Sequence, residues 1–245
     1  MTNIYILSIY FATIFNKEEN LCILEHFIAA YLSKNVKDIH GNIELLRRDL
    51  PKDVKQEAQK EVDVIVNLNN KKICIEMNAY GFQSGIRNRN LLFASKVLSR
   101  EYKRSDKNFK NINKVLQINL TTVSSTLEYS QKMNYLINEF QLRESRNLKT
   151  VYSDILQIDI VDMTKVNKVC YNYVDEREKL IAKWCELFCA ETLEDIRRKG
   201  CDIMNEKSLE QLVSEVDKLS QDKDMLWFES NYTNQELSYN SNIID

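Results

Sequence analysis

"DVIVNLNNKKICIEMN", residues 63–78, is the stretch that decides how this chain folds. Two short runs of β-branched residues flank Asn69, Asn70, Lys71 and Lys72, and each run carries one carboxylate, Asp63 or Glu76. Asn tolerates positive φ, so Asn69-Asn70 predicts a type I′ turn between two antiparallel strands. Such a turn pairs residues whose numbers add to 139, which sets Asp63 across from Glu76 and Glu61 across from Asn78. A four-residue loop over Leu68 to Lys71 keeps the same register. Alternation then turns Val62, Val64, Val66, Ile73, Ile75 and Met77 toward the core and both acids toward the opposite face.

Carboxylates facing each other at a cross-strand distance of about 5 Å repel and destabilise the pair. A divalent cation offsets that cost, because two carboxylates and a few waters fill the octahedral oxygen shell of magnesium. On register alone, a solvated strand face with two unrelated acids explains the pattern equally well.

Before the hairpin, "EENLCILEHFIAAYLSK" predicts an amphipathic helix with Leu21, Leu24, Ile28, Tyr31 and Leu32 on one face and Glu25 at its margin. The opening "IYILSIYFATIF" is shorter than the roughly 20 residues a membrane span needs. It has no basic lead-in or cleavage site, so it reads as a core-docking element of a cytoplasmic, non-membrane protein. After the hairpin, the pattern predicts a helix from about residue 84 to 102 and a strand at "KVLQINL". A helix around 127–143 and a strand at "DILQIDIVDM" follow. From Asp175 the periodicity is helical, first through "EREKLIAKWCELFCAETLEDIRR" and then through "EKSLEQLVSEVDKLS". The polar end "SNYTNQELSYNSNIID" has no period and reads as disordered.

The chain has 245 residues, 44% hydrophobic and 29% charged, a globular balance. Four Gly and one Pro favour helices joined by polar turns over a many-turned β-sandwich. The net charge of −2 hides an asymmetry, since residues 79–114 hold nine Lys or Arg against two acids. On the helix after the hairpin, Arg89, Lys96, Arg100 and Lys103 form a stripe opposite Leu91, Ala94, Leu98 and Tyr102. That stripe is either a solvated face or a surface for the phosphates of double-stranded DNA, gripped without reading sequence. Six cysteines without a CxxC pair read as free thiols in a reducing compartment. Two histidines, His26 and His40, leave little room for His-based zinc sites or catalytic triads. Residues 205–245 hold nine acids against three lysines, which is compatible with self-association, a homodimer included, or with DNA mimicry.

The spacing of Asp63, a hairpin and then Glu76-Met77-Asn78 resembles the PD-(D/E)XK motif of the recombination-promoting nuclease, or putative transposase, family. "FATIFNKEEN" (11–20), "IEMN" (75–78), "RNLLFASKV" (89–97), "KVLQINL" (114–120) and "DMTK" (162–165) look like successive family segments in their usual order. Ala12, Asn16, Asn78 and Thr164 depart from it, standing where the family has lysine, glycine, glutamine or lysine, and proline. The resemblance implies an α/β fold, a restriction-endonuclease-like core whose mixed β-sheet is flanked by helices, with the acids at one sheet edge. That core would occupy residues 1–168, followed by a helical C-terminal extension (169–226) and a polar tail (227–245).

The implied activity is that of a metal-dependent DNA endonuclease tied to mobile elements or recombination. Magnesium, with manganese as substitute, would be held by Asp63, Glu76 and the backbone carbonyl of Met77. Asn78 would orient the attacking water. Glu25 is the candidate accessory acid, with Glu19 as its rival, and Glu61 shares the catalytic face. Because Asn78 carries no charge with which to activate water, the alternative is a catalytically degenerate module that binds DNA or a protein.

Overall fold

Asn69 and Asn70 adopt φ of 46° and 65°, the left-handed pair that a type I′ turn demands. They join β2 (Val64–Leu68) to β3 (Lys71–Asn78), with Val64 opposite Ile75 and Leu68 opposite Lys71, the expected register. The computed structural model describes residues 6–50, 61–78, 85–101, 109, 111–122, 134–166 and 172–222. The expected tail over 227–245 lies outside these residues, as do Tyr102 and Lys103.

Around the hairpin a six-stranded sheet forms, adding β1 (Ile43–Leu45), β4 (Lys114–Thr121), β5 (Ile137–Arg143) and β6 (Val151–Asp162) in the order β1-β2-β3-β4-β6-β5. Strands β3, β4 and β6 are parallel neighbours, while β1, β2 and β5 run antiparallel to theirs. A parallel pair needs a crossover, supplied between β3 and β4 by the helix α4 (Ile86–Glu101). The acids therefore do not sit at a sheet edge: β1 pairs outside β2, and β3 is an interior strand.

Helices cover both faces. On one side α1 (Ile6–Phe15) and α2 (Leu21–Tyr31), linked through the short α3 (Val36–Ile39) to β1, pack with α5 (Glu176–Phe188), α6 (Leu193–Gly200) and α7 (Glu206–Ser220). Val64, Val66, Ile73 and Ile75 join this core. On the other side α4 covers a smaller core containing Ile65, Cys74, Phe93 and Val97. Val62 falls in that smaller core rather than beside Val64. The ladder stops at Val64 and Asp63 forms a bend, so simple alternation does not carry through to Val62.

The opening segment docks as expected: Leu7, Tyr10, Phe11, Ile14 and Phe15 are buried along α1. Phe11 meets Phe188 edge-on at 5.5 Å, and Phe27 meets Trp184 at 5.3 Å, so α1, α2 and α5 share one aromatic cluster. The C-terminal helices are thus part of the main core. Truncating Trp184, which is wholly buried, would cost about 3–5 kcal/mol.

Two helical expectations are corrected. Residues 137–143 form the edge strand β5 rather than the end of a helix. The twelve-residue β6 offers an open edge, and backbone pairing along it outweighs the helix-like spacing of Ile137 and Phe140. The run over 176–198 is two helices, broken after Phe188 and restarted where Thr192 accepts the Asp195 amide through its side chain.

Candidate active site

Glu76 sits near the C-terminal end of β3, on the α4 face, and is 1% exposed. It is there because strand alternation places it in line with Cys74 and Asn78. Asp63 enters from the bend before β2, and two amide-to-carboxylate bonds cross the hairpin there. The Asp63 amide donates to Glu76 Oε1 at 3.1 Å, and the Met77 amide donates to Asp63 Oδ2 at 2.8 Å. The expected cross-strand pairing of the acids is present, though through side chains rather than a regular ladder.

The electrostatics match that proximity. Burial pushes the Asp63 carboxyl up, while the Met77 amide and the Arg89 and Arg48 charges pull it down. Glu76 is raised by burial first and by the Asp63 charge second, with Arg89 the main opposing influence. Both acids resist ionising together, so in the metal-free protein Glu76 keeps its proton at neutral pH and would give it up to a cation.

Three residues pin this pair. Arg89, from the first turns of α4, donates to Glu76 Oε2 at 2.9 Å and to Asn78 Oδ1 at 3.2 Å. Its guanidinium lies 4.9 Å over the Phe93 ring, which fixes its direction. Asn16, just beyond α1, bridges the Ala12 carbonyl (2.8 Å) to the Asp63 carbonyl. Arg48 binds the Val62 carbonyl at 3.1 Å and Glu61 Oε2 at 2.8 Å, steadying the chain as it enters the bend. Sequence reading missed the roles of Asn16 and Arg48. Asn16 stands out in the sequence only as a departure from the family's opening segment, and the role of its amide follows from the fold, which brings α1 beside the bend at Asp63.

Asn78 is 7% exposed. With its oxygen taken by Arg89, its Nδ2 is left buried without an acceptor. Asn90, one residue after Arg89, is 2% exposed, and neither end of its amide has a hydrogen-bond partner. Unmet buried amides cost about 1–3 kcal/mol each, and they cluster where α4 begins beside the acid pair. The parallel register extends the polar row across the sheet, from Asn78 to Thr121 to Asp162.

The chain matches a family model described as PD-(D/E)XK nuclease family transposase over residues 9–244. It belongs to that family. The match spans the sheet, α4 and the C-terminal helices together, and the mixed sheet flanked by helices is the restriction-endonuclease-like arrangement of such nucleases. Membership links the protein to nuclease function on DNA and to mobile elements. The comparison with curated proteins returns no match. No described helix is long and apolar enough to cross a membrane.

The remaining expected site residues of this nuclease-family chain lie elsewhere. Glu25 is buried, but its oxygens bind His40 Nδ1 (2.8 Å) and the Gly41 amide (3.2 Å), closing the turn after α3. Glu19 is exposed, and Glu61 pairs with Arg48. The basic stripe on α4 is not one solvent-facing surface. Lys96 is 6% exposed, and Arg100 reaches back to the Arg47 carbonyl at 3.3 Å, whereas Leu91 on the supposed inner face is 51% exposed. Helix α4 rotates so that Ile86, Asn90, Phe93 and Val97 face the sheet. Only Arg89 of the described stripe reaches the acid pair.

Proposed function

We propose that the protein is a metal-dependent DNA endonuclease of the PD-(D/E)XK type, with magnesium as its natural ion and manganese as a substitute. The observation that carries this reading is the meeting of half-buried Asp63 and buried Glu76, tied by the Asp63 and Met77 amides and flanked by Arg89. The donor set fits a hard cation, since it is all oxygen. Among the described residues no cluster of three or more His, Cys, Asp or Glu converges. Asp63, Glu76 and the Met77 carbonyl would therefore hold the ion together with water. When bound, the cation lowers the pKa of its water and polarises the phosphoryl oxygen.

The chain's own groups do the rest. Asn78 turns its free Nδ2 toward the attacking water and orients it. Arg89 holds both Glu76 and Asn78 in place and adds positive charge where a DNA phosphate would approach. Backbone contacts of this kind grip double-stranded DNA without reading its sequence.

A second reading, a module that binds DNA without cutting it, draws on the same contact: Arg89 already occupies Glu76 Oε2, where a metal would otherwise bind. Supercoiled plasmid with magnesium or manganese separates the two. Nicking that falls at least about 100-fold in Asp63→Asn supports the nuclease, since losing even an outer-shell partner of a metal costs 10–100-fold. Equal nicking by both proteins, or none with either metal, overturns it.

A further inference from the structure

A polar cavity lies on the face of the sheet opposite the acid pair. It has a volume of about 210 Å³ and is lined by Tyr31 and Ser33 at the end of α2, Lys71 on β3, Glu139 on β5, Asp159 on β6 and Arg177 on α5. Lys71 shares the face of Ile73 and Ile75, whereas Glu76 shares that of Cys74. Five residues of β3 separate Lys71 from Glu76, about 17 Å at 3.3–3.4 Å per residue. The cavity is therefore distinct from the acid pair in both face and position.

An inventory of donors and acceptors tells what the cavity lacks. Asp159 is fully buried, and both of its oxygens are used: Oδ2 accepts from the Tyr31 hydroxyl at 2.8 Å, and Gln157 donates to Oδ1 at 2.9 Å. Arg177 donates to Glu139 at 2.6 Å and stacks 4.5 Å over the Tyr31 ring. What remains is on the donor side. Arg177 Nε is buried without an acceptor. The half-buried side chain of Lys71 makes no hydrogen bond or ion pair among the described residues. Its ammonium is lowered by burial, with Asp159 opposing that shift and Lys114, Lys34 and Arg177 reinforcing it. Two cations, Lys71 and Arg177, thus line a space in which Asp159 is already satisfied and Glu139 is held by Arg177.

We propose that this cavity binds a small oxyanion, a phosphate or carboxylate group, between the Lys71 ammonium and Arg177 Nε. Such a ligand supplies the acceptors that both donors lack, and a charge-assisted bond to each is the strong kind. A cationic ligand would leave them unmet, and a neutral acceptor would bond them without balancing their charge. Nothing in the nuclease reading requires the site, and its test does not depend on cleavage.

The experiment is calorimetric titration of the full, metal-free chain in a chloride buffer with inorganic phosphate, with acetate and with deoxyadenosine 5′-monophosphate. The wild-type protein and Asp63→Asn should bind phosphate or acetate with one site and similar affinity, and Lys71→Gln should weaken it at least tenfold. A conservative change on a half-exposed strand position leaves the fold intact, and an unchanged circular-dichroism spectrum and Tm of Lys71→Gln would show so. Tighter binding of the mononucleotide than of phosphate would assign the oxyanion to a nucleic-acid end; equal binding would assign it to the free anion. No binding of any probe by the wild-type chain, or equal binding by Lys71→Gln, overturns the proposal.

Discussion

Two buried carboxylate centres occupy opposite faces of the sheet, and their surroundings are completed in different ways. Asp159 receives the Tyr31 hydroxyl and the Gln157 amide, with Arg177 Nη2 at 3.8 Å. Burial raises it to about 6, and those two hydrogen bonds hold it lower than burial alone would. At the other centre Asp63 and Glu76 bring two acids to one adjacent arginine, and the Asp63 charge raises Glu76 further. The first centre is neutralised by the protein itself. The second keeps a proton on Glu76 that a divalent cation would displace.

That contrast predicts opposite responses to mutation. Asp159→Ala removes the acceptor of Tyr31 and the buried counter-charge of Arg177, so it should destabilise the fold by about 3 kcal/mol. Glu76→Gln relieves repulsion and burial of charge, so in metal-free buffer at pH 8 it should stabilise the fold by about 1 kcal/mol. Denaturant unfolding of the two variants reads both numbers. If both lose stability alike, the two centres are equivalent and the cation argument fails.

The pH dependence sharpens the same point. Glu76, pushed up to about 8, binds more protons folded than unfolded at every pH between its unfolded value near 4.3 and its folded one. Stability of the metal-free protein should therefore be greatest on the acid side of that window and fall as pH rises through it. Asp159 adds to the fall only up to about pH 6. Above pH 6 the remaining slope should vanish in Glu76→Gln and shrink on adding manganese. A slope that persists in both would assign it to other groups.

A smaller effect is expected where the acid pair is supported from outside. Asn16→Ala deletes the tie from α1 to the Asp63 carbonyl. It should weaken metal binding about tenfold, the lower end for an outer-shell partner, with a stability loss near 1 kcal/mol. Unchanged affinity would mean that β2 positions Asp63 unaided.

How much of this was legible beforehand follows from the range over which each signal acts. The hairpin register was readable because a turn of two asparagines fixes it arithmetically, and the two acids came with it. Val62 was misplaced because a bend at Asp63 breaks alternation, and the bend is held by Arg48 and Asn16 from other segments. The face of α4 was misread because basic residues were assumed to define the outside, while burial of Lys96 and exposure of Leu91 follow from how the helix docks on the sheet. Strand β5 was hidden because its partner, β6, decides its conformation. The Tyr31–Asp159 bond spans 128 residues, beyond the reach of any local pattern.

The central claim is that Asp63 and Glu76 share one divalent cation. Calorimetric titration of manganese into the metal-free protein at pH 7, repeated in buffers of different ionisation enthalpy, tests it most directly. The account predicts one ion per chain, release of protons because a raised carboxyl must ionise to bind, and loss of both signals in Glu76→Gln. Equal binding by Glu76→Gln, or binding without proton release, would contradict it.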